Sequence, residues 1–260
     1  MTRPGYALRL LLFFFFISVL PLGAALSAQD ASPQEIAGRI DDLYRGDSSH
    51  AIIKLKVFTG LSARETLVEA WSKGRKYTLV RTLEPAGKLG LSTVKLGNSI
   101  WSYLPDVDRV IKLPLSMAGA PWLGSHLTND DAVRGDMLSE DYLMEITFSG
   151  TRERIEVIEI AFTPEPAAQV VWSKVVATVR RSDLIPLKIE FFGEKADLVR
   201  TITYSDIREL GSRMLPSTIR ITPAGNDGAF TEITYEAIRF DVEVDEDFFS
   251  LKNLKNPESL

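Results

Sequence analysis

Leu96-Gly97-Asn98-Ser99-Ile100-Trp101-Ser102-Tyr103-Leu104-Pro105-Asp106-Val107-Asp108-Arg109-Val110-Ile111-Lys112-Leu113 reads as two short strands and two turns. Gly97-Asn98 between apolar runs favours a tight hairpin. Pro105 stops the first strand, and Asp106-Val107-Asp108 turns the chain into the second. The next stretch, Pro114 to Leu127, is of another kind. Pro114, Gly119, Pro121 and Gly124 exclude a long regular element, yet Leu115, Met117, Trp122, Leu123 and Leu127 make the stretch apolar. Connections ordinarily run over the surface and are polar. Long ones without structure of their own are usually functional or disordered. A loop of this composition has to bury its side chains, either in a core or over a hydrophobic opening.

Upstream, Ser32-Pro33-Gln34-Glu35 carries the marks of a helix start. Ser32 is placed to cap, Pro33 suits the first helical position, and Glu35 completes a capping box. Ile36, Ile40, Leu43 and Tyr44 follow at helical spacing, so an amphipathic helix is expected to end near Gly46. From His50 the period changes to two. Strands are expected over His50–Phe58, Arg64–Lys73, Arg75–Leu83 and Leu89–Lys95. Beyond the apolar loop, Thr128-Asn129-Asp130-Asp131 can cap a short helix to about Met137, its acids suiting a helix N-terminus. Strands then resume at Tyr142–Phe148, Arg154–Thr163, Val170–Val179, Pro186–Phe192, Leu198–Ile207, Arg213–Thr222 and Phe230–Phe240, with turn residues between them. Asp245 to Phe249 reads as a docked helical turn and Lys252 to Leu260 as a polar tail. Strands this close in sequence pair as antiparallel hairpins, since a parallel crossover needs a dozen or more residues. The spacing indicates about ten antiparallel strands in one strongly curved sheet or incomplete barrel, a mainly β fold of the α+β kind. Val170-Val171-Trp172 and Phe191-Phe192 are apolar on both faces, so one face meets helices or a cover, or encloses a hydrophobic cavity.

The chain has 260 residues, 45% hydrophobic and 25% charged, which suits a sizeable core. Cysteine is absent, which excludes disulfides, thiolate metal sites and a cysteine nucleophile. Arg3 and Arg9 precede or flank the apolar run Leu10–Leu22, and small residues follow up to Ala28. This is the pattern of an export signal, residues 1–28, and the run is short for a membrane span. Cleavage after Ala28 removes two of the 30 basic residues and none of the 35 acidic ones, leaving a formal charge of −7. An acidic mature chain, residues 29–260, lacks the basic face that nucleic acid demands.

Motifs of catalysis are missing. The two histidines, His50 and His126, have no partner at metal-ligand spacing, and no nucleophile elbow or phosphate-cradling glycine loop occurs. Ser125 lies beside His126, but adjacent side chains point apart. Asn129-Asp130-Asp131 and the acidic run from Asp241 to Asp247 do not match a calcium loop. No cofactor or metal is expected. Trp71, Trp101, Tyr103, Trp122, Trp172, Phe191 and Tyr235 are candidates to line a ligand cavity, with core packing as the plain reading of each. Leu115, Met117, Trp122 and Leu123 are the candidates for its cover.

The run Leu96 to Pro105, then Arg109-Val110-Ile111-Lys112-Leu113-Pro114, Met117, Trp122-Leu123-Gly124-Ser125 and Thr128-Asn129-Asp130-Asp131 resembles the outer membrane lipoprotein-sorting family, periplasmic proteins similar to the LolA and LolB carriers. The likeness covers essentially the whole mature chain, and its motifs match the LolA-like branch rather than the well-studied carriers. It implies an incomplete antiparallel barrel whose mouth is covered by helices and a loop. It also implies a non-enzymatic periplasmic carrier for the acyl chains of a lipoprotein or lipid, loaded by an inner-membrane transporter and emptied to an outer-membrane acceptor. Where the family has Gly-Ser-Asp-Phe, this chain has Gly124-Ser125-His126-Leu127. The family's carriers hold the cover with an arginine, for which Arg64, Arg75 and Arg81 are candidates here. Two readings from other classes stay open: a sensor or adaptor that reports lipid or envelope damage, and a lipid or glycan hydrolase.

The export reading predicts a mature protein that begins near Gln29 and is released by osmotic shock. N-terminal sequencing of the released protein checks this, and full-length chain recovered in the inner membrane would refute it.

Overall fold

The computed structural model describes residues 31–255 other than 118, 135–137, 167, 169 and 227. The export signal, the end expected for the helix after Thr128 and the last tail residues lie outside the described residues. The chain starts with helix α1 (Pro33–Asp41). A first meander follows, β1 (Ser48–Phe58), β2 (Ala63–Lys73), β3 (Tyr77–Glu84), β4 (Ser92–Leu96), β5 (Ser99–Leu104) and β6 (Arg109–Leu113). The apolar connection contains 3-10 turns at Leu115–Met117 and Trp122–Gly124 and then helix α2 (Asn129–Arg134). A second meander comprises β7 (Tyr142–Arg152), β8 (Ile155–Pro164), β9 (Lys174–Arg180), β10 (Pro186–Phe192), β11 (Leu198–Leu210), β12 (Arg213–Pro223) and β13 (Phe230–Phe240). A 3-10 turn at Glu246–Phe248 and helix α3 (Leu251–Lys255) end the described chain.

All thirteen strands form one antiparallel sheet in the order β6-β5-β4-β3-β2-β1-β13-β12-β11-β10-β9-β8-β7. The two meanders join where β1 pairs β13, Ser49 opposite Phe240 and Phe58 opposite Phe230. The sheet is open, with β6 and β7 at its edges, as the expected incomplete barrel requires. Each of the thirteen segments read as a strand has a counterpart in the sheet, more than the round figure of about ten, because short strands such as β4 and β6 are full ladder partners. Gly97, at φ +59°, takes the left-handed conformation that a two-residue hairpin turn needs.

Side-chain alternation divides the sheet into two faces. The inner face carries Leu55, Val57, Val68 and Val80 from the first meander, and Ile160, Phe162, Val175, Ile189, Ile202 and Ile221 from the second. Helix α1 lays Ile36, Ala37 and Ile40 on the second group. Its capping box forms as expected: Ser32 Oγ accepts from the Glu35 amide at 3.3 Å, and the Glu35 carboxylate accepts from the Ser32 amide at 2.7 Å. The helix ends at Asp41 rather than near Gly46, and Leu43 and Tyr44 lie in the turn beyond it. On the outer face, Trp71, Leu79 and Val94 pack under Val244, Phe248, Phe249 and Leu254. The C-terminal stretch from Lys252 is therefore not a polar tail at its start, because Leu254 is 1% exposed and anchors α3. Val170, Val171 and Trp172 precede β9 instead of belonging to it.

Asp41, 8% exposed, ties α1 to the chain after α2. Its carboxylate accepts from the amides of Leu138 at 2.8 Å and Ser139 at 2.9 Å and from the Ser139 hydroxyl at 2.5 Å. Burial pushes its pKa up to about 6, against the pull of the Ser139 and Leu138 hydrogen bonds and of Arg75. A carboxylate whose folded pKa exceeds its unfolded value stabilises the fold below the unfolded value and loses that contribution as pH rises through the folded one. Asp41 should therefore add stability as pH falls from about 7 to 4, by about 3 kcal/mol for a shift of roughly two units. Thermal unfolding of wild type and Asp41→Asn at pH 7 and pH 4 checks this. The difference between them should move in favour of wild type at the lower pH, and a pH-independent difference would count against it.

Candidate ligand cavity and its cover

A cavity of ≈ 220 Å³ lies between the inner face of the sheet, the end of α1 and the apolar connection. The strand registers order its floor into transverse rows. Ser49, Ser72 and Thr78 form the first row, Ala51, Ala70 and Val80 the second, and Ile53 and Val68 the third, with Leu55 beyond. Ile202, Ile219, Ile221 and Ile233 continue the apolar wall on the second meander. The roof over the apolar end is Trp122, Leu127 and Ala132. Asp41, Tyr44 and Arg45 close the other end from above the serine row.

The cover is a compact loop in its own right. Pro121 and Thr128 form a bridge, and the Trp122 amide donates to the Leu127 carbonyl at 2.8 Å. Ser125 Oγ donates to the Trp122 carbonyl at 2.7 Å and accepts from the Leu127 amide at 3.1 Å. Thr128 and Asp131 cap α2 reciprocally: Thr128 Oγ1 accepts from the Asp131 amide at 3.0 Å and Asp131 Oδ2 accepts from the Thr128 amide at 2.7 Å. The two proline-and-glycine breaks shape this loop, so that Trp122, 9% exposed, points into the inner-face cluster with Leu55, Val57, Val68 and Val80.

Two arginines hold the cover down, and a third fastens the chain that follows it. Arg64 at the start of β2 donates to the carbonyls of Leu123, at 2.6 Å, and Gly124. Gly124 has φ +62°, and a Cβ there would meet the Arg64 guanidinium at 2.8 Å; glycine permits both the turn and the close approach. Arg75, just after β2, donates to Ser139 Oγ at 2.6 Å and lies 3.3 Å from Glu140 and 3.7 Å from Asp41. Arg200 on β11 makes a bidentate pair with Asp131, at 2.5 and 2.9 Å. The Arg200 and Asp131 side chains are 4% and 11% exposed. Its guanidinium lies 4.6 Å from the Trp172 ring and 4.2 Å from the Phe191 ring. Of the candidates read from the sequence, Arg64 touches the cover, and Arg75 holds the chain just before β7 to the end of α1. The third, Arg81, faces the outer side, over the Trp71 ring at 5.0 Å and 3.7 Å from Glu69. Arg200 was missed; its signal is its place in a row with Ile202 and Tyr204, a charge on an otherwise apolar face.

The aromatic candidates separate in the same way. Trp122 and Tyr235 line the cavity. Trp71 borders it next to Ala70 and Ser72, but its ring stacks on His50 at 4.9 Å and meets Phe248 at 5.3 Å on the outer face. Trp101 and Tyr103 also pack on the outer cluster beneath the C-terminal segment. Trp172 and Phe191 pack in the inner core and flank Arg200. In the cover, Leu123 packs on the inner-face cluster and Met117 is 44% exposed; the Leu115 side chain lies outside the described residues. Tyr44 stacks on Tyr235 with centroids 4.4 Å apart, and its hydroxyl donates to the Pro216 carbonyl at 2.7 Å.

Ser125 and His126 do not form a nucleophile and base with each other. Ser125 is occupied within the cover, and His126 Nδ1 lies 2.9 Å from Thr231 Oγ1. Burial first, and then the charge of Arg64, push the His126 pKa down. Among the described residues no group of three or more His, Asp or Glu is placed to hold a metal ion.

No curated protein matches the chain. Solved structures share its fold. A DUF1329 family protein from Desulfovibrio piger is 21% identical, with a TM-score of 0.76 over 86% of this chain and 100% of its own. A LolA superfamily protein from Nitrosomonas europaea is 21% identical, with a TM-score of 0.73 over 85% and 99%. A protein domain from Vibrio parahaemolyticus described as outer membrane lipoprotein-sorting is 20% identical, with a TM-score of 0.74 over 88% and 99%. A family model described as "Uncharacterized protein" matches residues 74–256. The chain belongs to the family that this model describes, and its fold is that of the LolA-like, outer membrane lipoprotein-sorting proteins.

Proposed function

We propose that the chain is a non-enzymatic periplasmic carrier that shelters the acyl chains of a lipoprotein or lipid and delivers them toward the outer membrane. The observation that carries this reading is an apolar cavity roofed by a loop that is not part of the sheet. Sheltering an acyl chain from water is worth about 0.8 kcal/mol per CH₂, so a carrier in an aqueous compartment needs such a cavity and a way into it. The cavity volume, ≈ 220 Å³ with the cover in place, lies below the roughly 300–1,000 Å³ of sites for drug-sized ligands. Complete acyl chains therefore enter only as Trp122 and Leu127 withdraw. The cover is attached by side-chain bonds from Arg64 and Arg200, which break without disturbing the ladders. A sorting role named for one of the fold neighbours fits the same design. An inner-membrane transporter and an outer-membrane acceptor are the partners such a carrier requires.

Trp122 reports on this directly. With Trp71, Trp101 and Trp172 replaced by Phe, its emission should shift when a lipopeptide is titrated in. Trp122→Asp should destabilise the closed, empty form by upwards of ~3 kcal/mol, since a carboxylate replaces a buried ring, and should lower cargo retention. A silent Trp122 together with normal cargo retention by Trp122→Asp would remove the carrier reading. Asp131→Asn, which cancels the charge opposite Arg200, should raise acrylamide quenching of Trp122 in the empty protein while the far-ultraviolet circular dichroism stays that of wild type. Unchanged quenching would mean that the Arg200 pair does not hold the cover.

A further inference from the structure

The cavity is not uniformly apolar along its length. Ser49, Ser72 and Thr78 form its first row, and the Ser49 and Ser72 hydroxyls lie 2.8 Å apart. Arg45 lines the cavity above that row and donates to Thr78 Oγ1 at 3.2 Å. The stacked Tyr44 and Tyr235 rings complete that end. The next row is floored by the small Ala51 and Ala70, and the rows beyond by Ile53, Val68 and Leu55. From Ser49 to Leu55 the strand rises about 20 Å, the length of a long acyl chain. Two carboxylates also line the cavity, and both are engaged by the protein: Asp131 with Arg200, and Asp41 with the Leu138 and Ser139 amides.

Taking the cavity as the ligand site argued above, we infer that it is built for a single-chain amphiphile with an anionic head, a fatty acid in its ionised form, its carboxylate on Arg45 and the hydroxyl row and its chain running toward Trp122. The Arg45 guanidinium and the Thr78 hydroxyl, which accepts from Arg45 and keeps its own proton, supply donors that a carboxylate accepts from, while Ser49 Oγ donates to the Tyr44 carbonyl at 3.1 Å and Ser72 is bonded to Ser49. The small second row leaves room for the head and the first carbons, and the third row and Leu55 meet the chain. Burial pushes the Arg45 pKa down, against the pull of Tyr235, Asp41 and Asp42, so Arg45 stays a cation at the polar end of the cavity. The ester-linked chains of a lipoprotein offer no such charge, so this end of the cavity distinguishes a free fatty acid from acylated protein.

The test compares dodecanoate with methyl dodecanoate by calorimetric titration at pH 8, below the concentration at which either aggregates. A purely apolar cavity favours the ester, which has less water to shed. The head-group site should reverse this, with dodecanoate bound on the order of tenfold more tightly. Arg45→Gln should abolish that preference while ester binding persists, and Arg45→Lys should restore part of it. Equal binding, or tighter ester binding, by wild type overturns the head-group inference and leaves the cavity reading standing. If neither ligand binds, the cavity reading itself falls. The wild-type comparison decides the matter even where Arg45→Gln fails to fold.

Discussion

Everything in this molecule depends on the path the backbone takes between two edges of an open sheet. The first meander finishes at β6 on one edge and the second starts at β7 on the other. The 114–141 connection must therefore traverse the mouth, and the shortest route lies over the inner face. That face is apolar, so a polar connection would leave it wet, and an apolar one seals it. The composition of the loop and the topology of the sheet are two sides of one requirement.

Sealing by contact alone would make the loop part of the core. Here the contact is modest and the fastening is polar. Trp122 and Leu123 supply the burial, while Arg64, Arg75 and Arg200 supply fixed points at the front, end and middle of the connection. The Arg200–Asp131 pair is the most buried of these, and both partners are doubly employed. Asp131 also caps α2, and Arg200 lies against the Trp172 and Phe191 rings. Removing one partner of such a pair strands a buried charge, which costs more than the pair itself contributes. The position of α2 is thus specified by geometry rather than by bulk hydrophobicity.

Much of this was legible in the sequence because it rests on local chemistry. Gly97-Asn98 announces its hairpin, Ser32 with Glu35 and Thr128 with Asp131 announce their helix starts, and the prolines and glycines from Pro114 to Gly124 announce a loop that cannot become a helix. Period-two alternation shows that a strand has two faces, but not which of them looks inward. Trp101 and Tyr103 were read toward the cavity and pack on the outer cluster for that reason. Leu254 was invisible in a polar setting, because its burial depends on Trp71 and Val94, far upstream. Arg200 and its partner are separated by 69 residues, beyond any spacing rule. Helix α1 ends at Asp41, whose carboxylate accepts from the Leu138 and Ser139 amides, another contact too distant in sequence to be read there.

Leaving the barrel open has a consequence at its rims. Every unclosed sheet offers rows of unpaired backbone groups on which another chain can grow. The two rims are defended by different means. Strand β6 is only five residues long and exposes Arg109 and Lys112. Strand β7 is eleven residues long, but its register with β8 shifts between Ile146 and Phe148, a bulge that twists an edge away from flat stacking. The Arg152 guanidinium lies 3.7 Å over the Phe148 ring and 3.3 Å from Glu159 of β8. An open sheet thus ends in a short, charged strand at one rim and a bulged strand at the other.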